Sequence, residues 1–353
     1  MKIAAVGAAF PPHFYDQATL LAALREQWAG RFFNLDRLER LHKNVLVGGR
    51  HLALRIDEYA ALDGFGASND AWIRVATEVG EAALAQALER AGLAPQELGA
   101  LFFVSVTGIA TPSIDARLIN RMGLSPNLKR IPIFGLGCVA GAAGIARCAD
   151  YARAFPGEAA ALLSVELCSL TLQKEDLSIP NLIASGLFGD GAAAAIVTGD
   201  ELAAAKGTSG PEIVATRSIF YPDSERVMGW DIGTSGFQIV LSADVPVVVE
   251  RFLRRDVDAF LAGQGLTRAD IASWVCHPGG PKVLEAMQAA LGVDRAALEL
   301  TWRSLEQVGN LSSTSVLLVL ADTLAERRPP AGSWGMLLAL GPGFCSELVL
   351  LRW

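Results

Sequence analysis

Apolar and polar positions along the chain follow two alternating rhythms. Ala71 to Ala91 repeats apolar residues at helical spacing and stops at Gly92, a residue that ends helices readily. Ala100 to Thr107 (ALFFVSVT) is a short unbroken apolar run, the signature of a buried strand. Ile114 to Met122 then predicts a short helix, Ile131 to Gly135 a strand, Val139 to Ala154 a small-residue helix and Ala160 to Leu167 a strand. The second half repeats this grammar. Phe237 to Leu241 is strand-like, Val245 to Leu261 helical, Ser273 to Cys276 a strand, and Pro281 to Leu291 a helix with Pro in its first turn. Ser312 to Arg327 reads as a long helix, and Trp334 to Leu340 and Cys345 to Leu351 as closing strands. The alternation predicts an α/β fold of two related halves, 1–200 and 201–353, meeting at the Thr198-Gly199-Asp200 turn. No linker rich in Ser, Gly or Pro divides them, so they are expected to pack together.

Composition narrows the class. The 353 residues are 52% hydrophobic and 19% charged, enough for a large core and little disorder. A net charge of −7 with interspersed signs does not describe a nucleic-acid surface. The five cysteines, Cys138, Cys148, Cys168, Cys276 and Cys345, are odd in number and lack metal-ligand spacing, so reduced cytosolic thiols are expected. The start, MKIAAVGAAFPPHFYD, reads as a strand and turn rather than a signal peptide. The longest apolar runs, such as Ser315 to Ala321, are too short to span a bilayer. A cytoplasmic protein without an integral membrane segment is the expectation.

Three residues stand out chemically. Cys138 follows a strand and a glycine turn in IPIFGLGCVAGAAGIA, where a helix should begin. Helix N-terminal N–H groups favour an anion, so its thiol is expected to have a lowered pKa. Gly141 and Gly144 would let that helix pack closely. The bland alternative is a small core cysteine, which is the reading for the other four. His277 ends an apolar strand and opens CHPGGPK, at the site-bearing edge of an α/β sheet. His13, His42 and His51 read as surface or structural. Asn310 in VGNLSSTSVLLVL reads alone as a helix cap; with a Cys and a His it adds a neutral, non-titrating donor. Cys-His-Asn sets serve peptide hydrolysis and decarboxylative Claisen condensation. The protease reading expects an aromatic after the Cys in a disulfide-bearing secreted chain, and neither is found.

GLGCVAGAAG, LFGDGAAAAIV, WVCHPGGPKVLEAM, GNLSSTSVLLVL and LALGPGFCSELVLL occur in that order. Together they resemble the type III polyketide synthases, the chalcone and stilbene synthase superfamily, over nearly the whole chain. The resemblance implies a thiolase fold, five-layered αβαβα, and a homodimer. It implies catalytic roles for Cys138, His277 and Asn310, with Phe188 as gatekeeper. In GFQIVLSADVP, Ile239 stands where the family has a second gatekeeper Phe, suggesting a wider tunnel for a long acyl chain. Cys168, Thr171 and Ser312 fall on cavity-lining segments, and Thr111 where a residue reaches across the dimer; ordinary packing is the alternative for each. Gly341, Pro342 and Gly343 form the C-terminal turn that could shape cyclisation. Basic residues for CoA phosphates match poorly: Lys43 is nearest, with Arg37 and Arg40 beside it, and Lys282 follows the catalytic His.

The implied reaction begins with Cys138 held as a thiolate by His277 and loaded from an acyl-CoA starter. Malonyl-CoA loses CO2 with its enolate facing His277 and Asn310, and the carbanion attacks the Cys138 thioester. Medium- or long-chain starters and pyrone or resorcinol-type products are expected, as in bacterial alkylresorcinol and alkylpyrone synthases. No metal or cofactor is expected; the substrates are CoA thioesters, with an acyl carrier protein as another source of starter. The rival readings are a ketoacyl-ACP synthase making a single condensation, a cysteine hydrolase, and an inactive thiolase-fold partner protein.

Overall fold

The computed structural model describes residues 1–31 and 34–353. The first half contains β1 (Lys2–Ala9), β2 (His13–Asp16), α1 (Gln17–Gln27), α2 (Leu35–Asn44), β3 (Gly49–Leu52), α3 (Gly64–Ala91) and β4 (Leu98–Val104). It continues with α4 (Ile114–Met122), β5 (Lys129–Ile133), α5 (Ala140–Ala154), β6 (Ala159–Leu167), α6 (Ile179–Leu187), β7 (Asp190–Thr198) and α7 (Asp200–Lys206). The second half begins with β8 (Glu212–Phe220), β9 (Met228–Gly233), β10 (Gly236–Leu241), α8 (Val245–Ala262), β11 (Ile271–Cys276) and α9 (Pro281–Leu291). It ends with α10 (Glu299–Val308), α11 (Ser315–Glu326), β12 (Trp334–Gly341) and β13 (Cys345–Arg352).

Nine strands form a mixed sheet in the order β11-β12-β13-β8-β1-β7-β6-β4-β5. The halves join where Lys2 of β1 pairs with Glu212 of β8. The strands are apolar on both faces because both faces are covered. On β6, Ala160 and Leu162 face a central core shared with α5 and α11, while Ala161, Leu163 and Val165 face an outer core shared with α3. On β12, Leu337 and Ala339 face the same central core; Met336 and Leu338 face a third core under α8 and α9. The layers are therefore helix, sheet, helix, sheet, helix: a thiolase-like α/β fold.

Three expected boundaries shift for reasons that bear on the site. The strand ending at Val104 stops short of Thr107, because Ser105 and Thr107 turn their hydroxyls to the buried Glu166 carboxylate. The helices expected from Val139 and Ser312 are each preceded by a tighter turn, Gly137–Val139 and Ser312–Thr314. Those turns carry Cys138 and Ser312.

Candidate active site

The turn bearing Cys138 is held by close backbone approaches. Gly137 has φ +54, and a Cβ there would lie 2.6 Å from Pro342. A Cβ on Gly341 would meet the Val139 amide at 2.6 Å, so the C-terminal Gly-Pro-Gly turn lies against the turn that carries Cys138. A Cβ on Gly141 would come within 2.3 Å of the Ser313 carbonyl, so only glycine lets α5 approach the segment that carries Asn310.

Cys138, His277 and Asn310 line one narrow cavity of about 60 Å3, with Ser312 and Pro342. All three are buried, at 8%, 2% and 2% exposure. The Cys138 thiol donates to Ser312 Oγ at 3.5 Å. Ser312 adopts φ +48, a left-handed conformation that is costly for a side-chain-bearing residue and recurs at functional sites. Asn310 is fixed twice over. Its Oδ1 accepts the Ser312 N–H at 2.8 Å, and its Nδ2 donates to the Gly279 carbonyl at 3.2 Å, leaving one amide hydrogen free. Its backbone bridges to the segment around Phe188: Asn310 N–H bonds Leu187 O at 2.9 Å, and Gly189 N–H bonds Asn310 O at 3.0 Å. The His277 amide bonds Leu338 O at 3.0 Å at the end of β11, and its ring Nδ1 is buried without a partner.

The expected thiolate–imidazolium pair is not what these surroundings favour. Burial pushes the Cys138 thiol up to about 12, with the nearby Glu166 carboxylate adding to it and the Ser312 bond opposing it. Burial lowers His277 to about 3. Desolvation outweighs the helix terminus that the sequence made visible, and it favours the neutral form of each group.

A second cavity, of about 760 Å3, adjoins the first. Cys168, Phe188, Trp230 and Ile239 line both and form the partition between them. Thr171 lines only the larger one. Ile239 and Trp230 face each other across the β9–β10 ribbon. Lys43, Lys282 and Thr111 are exposed and line neither cavity, as do Arg37 and Arg40; Gly341 and Gly343 act through backbone packing rather than as wall.

Sequence reading passed over three residues. Trp230 is one. Glu166, on the inner face of β6, accepts bonds from Val106 N at 3.1 Å, Thr107 Oγ1 at 2.9 Å, Ser105 Oγ at 3.3 Å and Ser313 Oγ. Burial raises its carboxyl to about 7. Arg50, on β3, lines the larger chamber at 3% exposure.

Residues 1–201 match the model of the chalcone and stilbene synthases' N-terminal domain, and residues 212–353 that of their C-terminal domain. The chain belongs to the chalcone and stilbene synthases. It is 50% identical to the 1,3,6,8-tetrahydroxynaphthalene synthase of Streptomyces peucetius subsp. caesius, covering 100% of this chain and 93% of that one. It is 32% identical to the phloroglucinol synthase of Pseudomonas fluorescens, covering 98% and 97%. The crystal structure of the Streptomyces coelicolor A3(2) tetrahydroxynaphthalene synthase, a bacterial type III polyketide synthase, superposes with a TM-score of 0.94 at 31% identity, covering 100% and 99%. This chain is accordingly a type III polyketide synthase, an acyltransferase that condenses malonyl-CoA units iteratively. No described helix is long and apolar enough to cross a membrane.

Proposed function

We propose that Cys138 carries the growing acyl chain while His277 and Asn310 stabilise the malonyl-derived enolate. The observation that carries this reading is the meeting of all three side chains in one buried cavity, with the Asn310 amide oriented by Ser312 and Gly279. As sulfur attacks the starter's thioester carbonyl, the thiol proton passes through His277 to the departing CoA sulfur. The imidazole returns to its neutral form. Malonyl-CoA then loses CO2, and its enolate oxygen faces His277 Nε2–H and the free Asn310 amide hydrogen. Two preorganised donors in a dry site are worth far more than in water; loss of one costs about a hundredfold or more in rate. The carbanion attacks the Cys138 thioester, the sulfur departs, and the extended chain is handed back from CoA for another round.

The chain's far end enters the larger chamber past Phe188, Trp230 and Ile239. The products named for the relatives above carry ring hydroxyls and no alkyl tail, which favours a short starter, extension wholly from malonyl units and closure to a polyhydroxylated ring. A medium- or long-chain acyl starter, closing to a pyrone or resorcinol, is the second reading. It is supported by the apolar wall formed by Leu20, Leu24, Leu52 and Leu172, and by the aliphatic Ile239. CoA esters serve as carriers, with Lys43 and Lys282 as phosphate contacts at the surface and an acyl carrier protein as an alternative donor. The enzyme works in the cytoplasm without a resident cofactor, as a homodimer in which Thr111 reaches the partner's site.

The test is Cys138→Ala with radiolabelled acyl-CoA, together with His277→Gln and malonyl-CoA. Covalent label should vanish in the first and CO2 release should fall about a hundredfold in the second. Label at the wild-type level, or unchanged CO2 release, overturns the corresponding role.

A further inference from the structure

A buried polar cluster lies in the core under α8, behind the Gly-Pro-Gly turn, and takes no part in the chemistry described above. Asp256 on α8 is 6% exposed, and Tyr221, just past β8, is 5% exposed. The Tyr221 hydroxyl donates to Asp256 Oδ2 at 2.8 Å. Its one proton is thereby committed, so Ser346 Oγ donates to it at 3.2 Å. Asp256 Oδ1 accepts from Arg255 Nε at 2.8 Å, which supplies the carboxylate with a counter-charge. Burial raises the Tyr221 phenol above its ordinary range and Asp256 adds to the rise, so the hydroxyl stays a donor at neutral pH. The ring stacks on Phe252 with centroids 5.0 Å apart. Stacking alone tolerates sliding; the bond to a carboxylate fixed on α8 selects one position for the ring.

That position reaches the catalytic cavity through Phe344. The Phe344 side chain is fully buried and lines the cavity that holds Cys138, His277 and Asn310. Its ring tilts 30° against Tyr221, with centroids 5.9 Å apart. Its peptide is held on both sides by the Tyr221 turn. The Phe344 carbonyl accepts the Tyr221 N–H at 2.9 Å, and the Phe344 N–H donates to Ser224 Oγ at 2.6 Å. The Ser224 hydroxyl donates in turn to the Tyr221 carbonyl. Two residues before Phe344, Pro342 lies against Gly137 beside Cys138. A shift of Tyr221 is therefore a shift of the cavity wall.

We propose that Tyr221 and Asp256 act as a pair of positioning residues, holding Phe344 against the catalytic cavity so that the growing chain is carried through all its extensions instead of leaving early. This rests on the reading of Cys138 as acyl carrier. A firm wall keeps the thioester carbonyl in line for the next carbanion. A wall that gives way lets the chain fold back on itself. Its own enol oxygen then attacks the thioester carbonyl, the oxygen–acyl bond forms, the sulfur–acyl bond breaks, and the sulfur leaves with the enol proton. A short lactone is released and nothing is oxidised or reduced.

The experiment gives the intact enzyme malonyl-CoA and resolves full-length product from shorter lactones by mass spectrometry. Tyr221→Phe and Asp256→Ala should each raise the share of shorter products about threefold or more and lower kcat about tenfold, with KM within about twofold of wild type, because misplaced reacting atoms cost turnover rather than binding. The double variant should match either single one, since the two side chains work as a unit. Asp256→Asn keeps an acceptor for the phenol and should restore most of the wild-type product ratio. Tyr151→Phe is the control. It removes the hydroxyl of another buried tyrosine, bonded to Glu158 and Lys129 and lining neither cavity, and should leave the ratio unchanged. Tyr221→Phe removes a single oxygen and decides the matter even where Asp256→Ala does not fold. An unchanged product ratio in Tyr221→Phe overturns the proposal. So does an equal shift in Tyr151→Phe, or a double variant whose shift is the product of the two single ones. Failure of wild-type Cys138 to carry an acyl label in the same reactions overturns instead its assignment as acyl carrier.

Discussion

Burial that favours the neutral forms of Cys138 and His277 has a direct kinetic consequence. With the thiol at about 12, roughly one molecule in 10^5 is ionised at pH 7 and one in 10^3 at pH 9. A thiolate held by an imidazolium would instead be fully formed from about pH 6 upward. Alkylation by iodoacetamide requires the thiolate, so its rate at the Cys138 peptide, followed by mass spectrometry from pH 6 to 10, reports the ionised fraction. The rate should climb about tenfold per pH unit without a plateau. Ser312→Ala removes the one side-chain hydrogen bond that lowers the thiol's pKa and should slow alkylation at every pH. His277→Ala should leave the slope unchanged, because an imidazole lowered to about 3 contributes no positive charge in this range. A rate that is flat from pH 6 to 9 would refute the reasoning and restore the ion pair.

Other expectations follow from the same geometry. Ile239→Phe should fill part of the passage between the cavities and shift preference toward shorter starters, read from product masses across an acyl-CoA panel; an unaltered profile counts against that passage. Gly141→Ala places a methyl within 2.3 Å of the Ser313 carbonyl. It should destabilise the fold by about 1–3 kcal/mol in urea unfolding and lower kcat by moving Cys138 away from Asn310. Burial holds Glu166 at about 7 in the fold against an ordinary 4.5. It keeps its proton longer when folded than unfolded, so its contribution is fully present below pH 4.5 and is lost as pH rises through 7. The amount is on the order of 3 kcal/mol. Glu166→Gln should flatten the fall in stability between pH 5 and 8; an identical slope in the two proteins would mean the carboxyl titrates normally.

Some of this was legible in the residues and some was not, for reasons that can be named. The bounds of α4 and α9 match the sequence reading because Gly123 and Gly292 close them in the left-handed conformation. By contrast, β7 holds a run of four alanines, a residue that favours helices, and its burial between α3 and α5 makes it a strand. The helix α1 has no clean apolar stripe, whereas α6 and α10 are amphipathic but only 9 and 10 residues long, too short for their spacing to stand out in the sequence. Cys138 and His277 announced themselves through their flanking glycines. Glu166 could have been found by parity: it shares the inner face of β6 with Ala160 and Leu162, where a charge demands a reason. Arg50, in GGRHLAL, looks like a surface residue until the cover supplied by α6 and the loop before Asn310 is known. The lowered thiol pKa was the natural expectation from a helix terminus, but burial depth cannot be read from a one-dimensional pattern.

The backbone bridge between Phe188 and Asn310 constrains how this enzyme can be altered. A larger or smaller side chain at 188 tugs on the peptide that aims the Asn310 amide, so, on the roles proposed above, reshaping the passage from that wall should also slow decarboxylation. The β9–β10 ribbon carries Trp230 and Ile239 on the opposite wall and makes no such bridge. Product range can drift there at little kinetic penalty, which makes the ribbon the place to look for divergence among sister enzymes and the place to begin directed evolution.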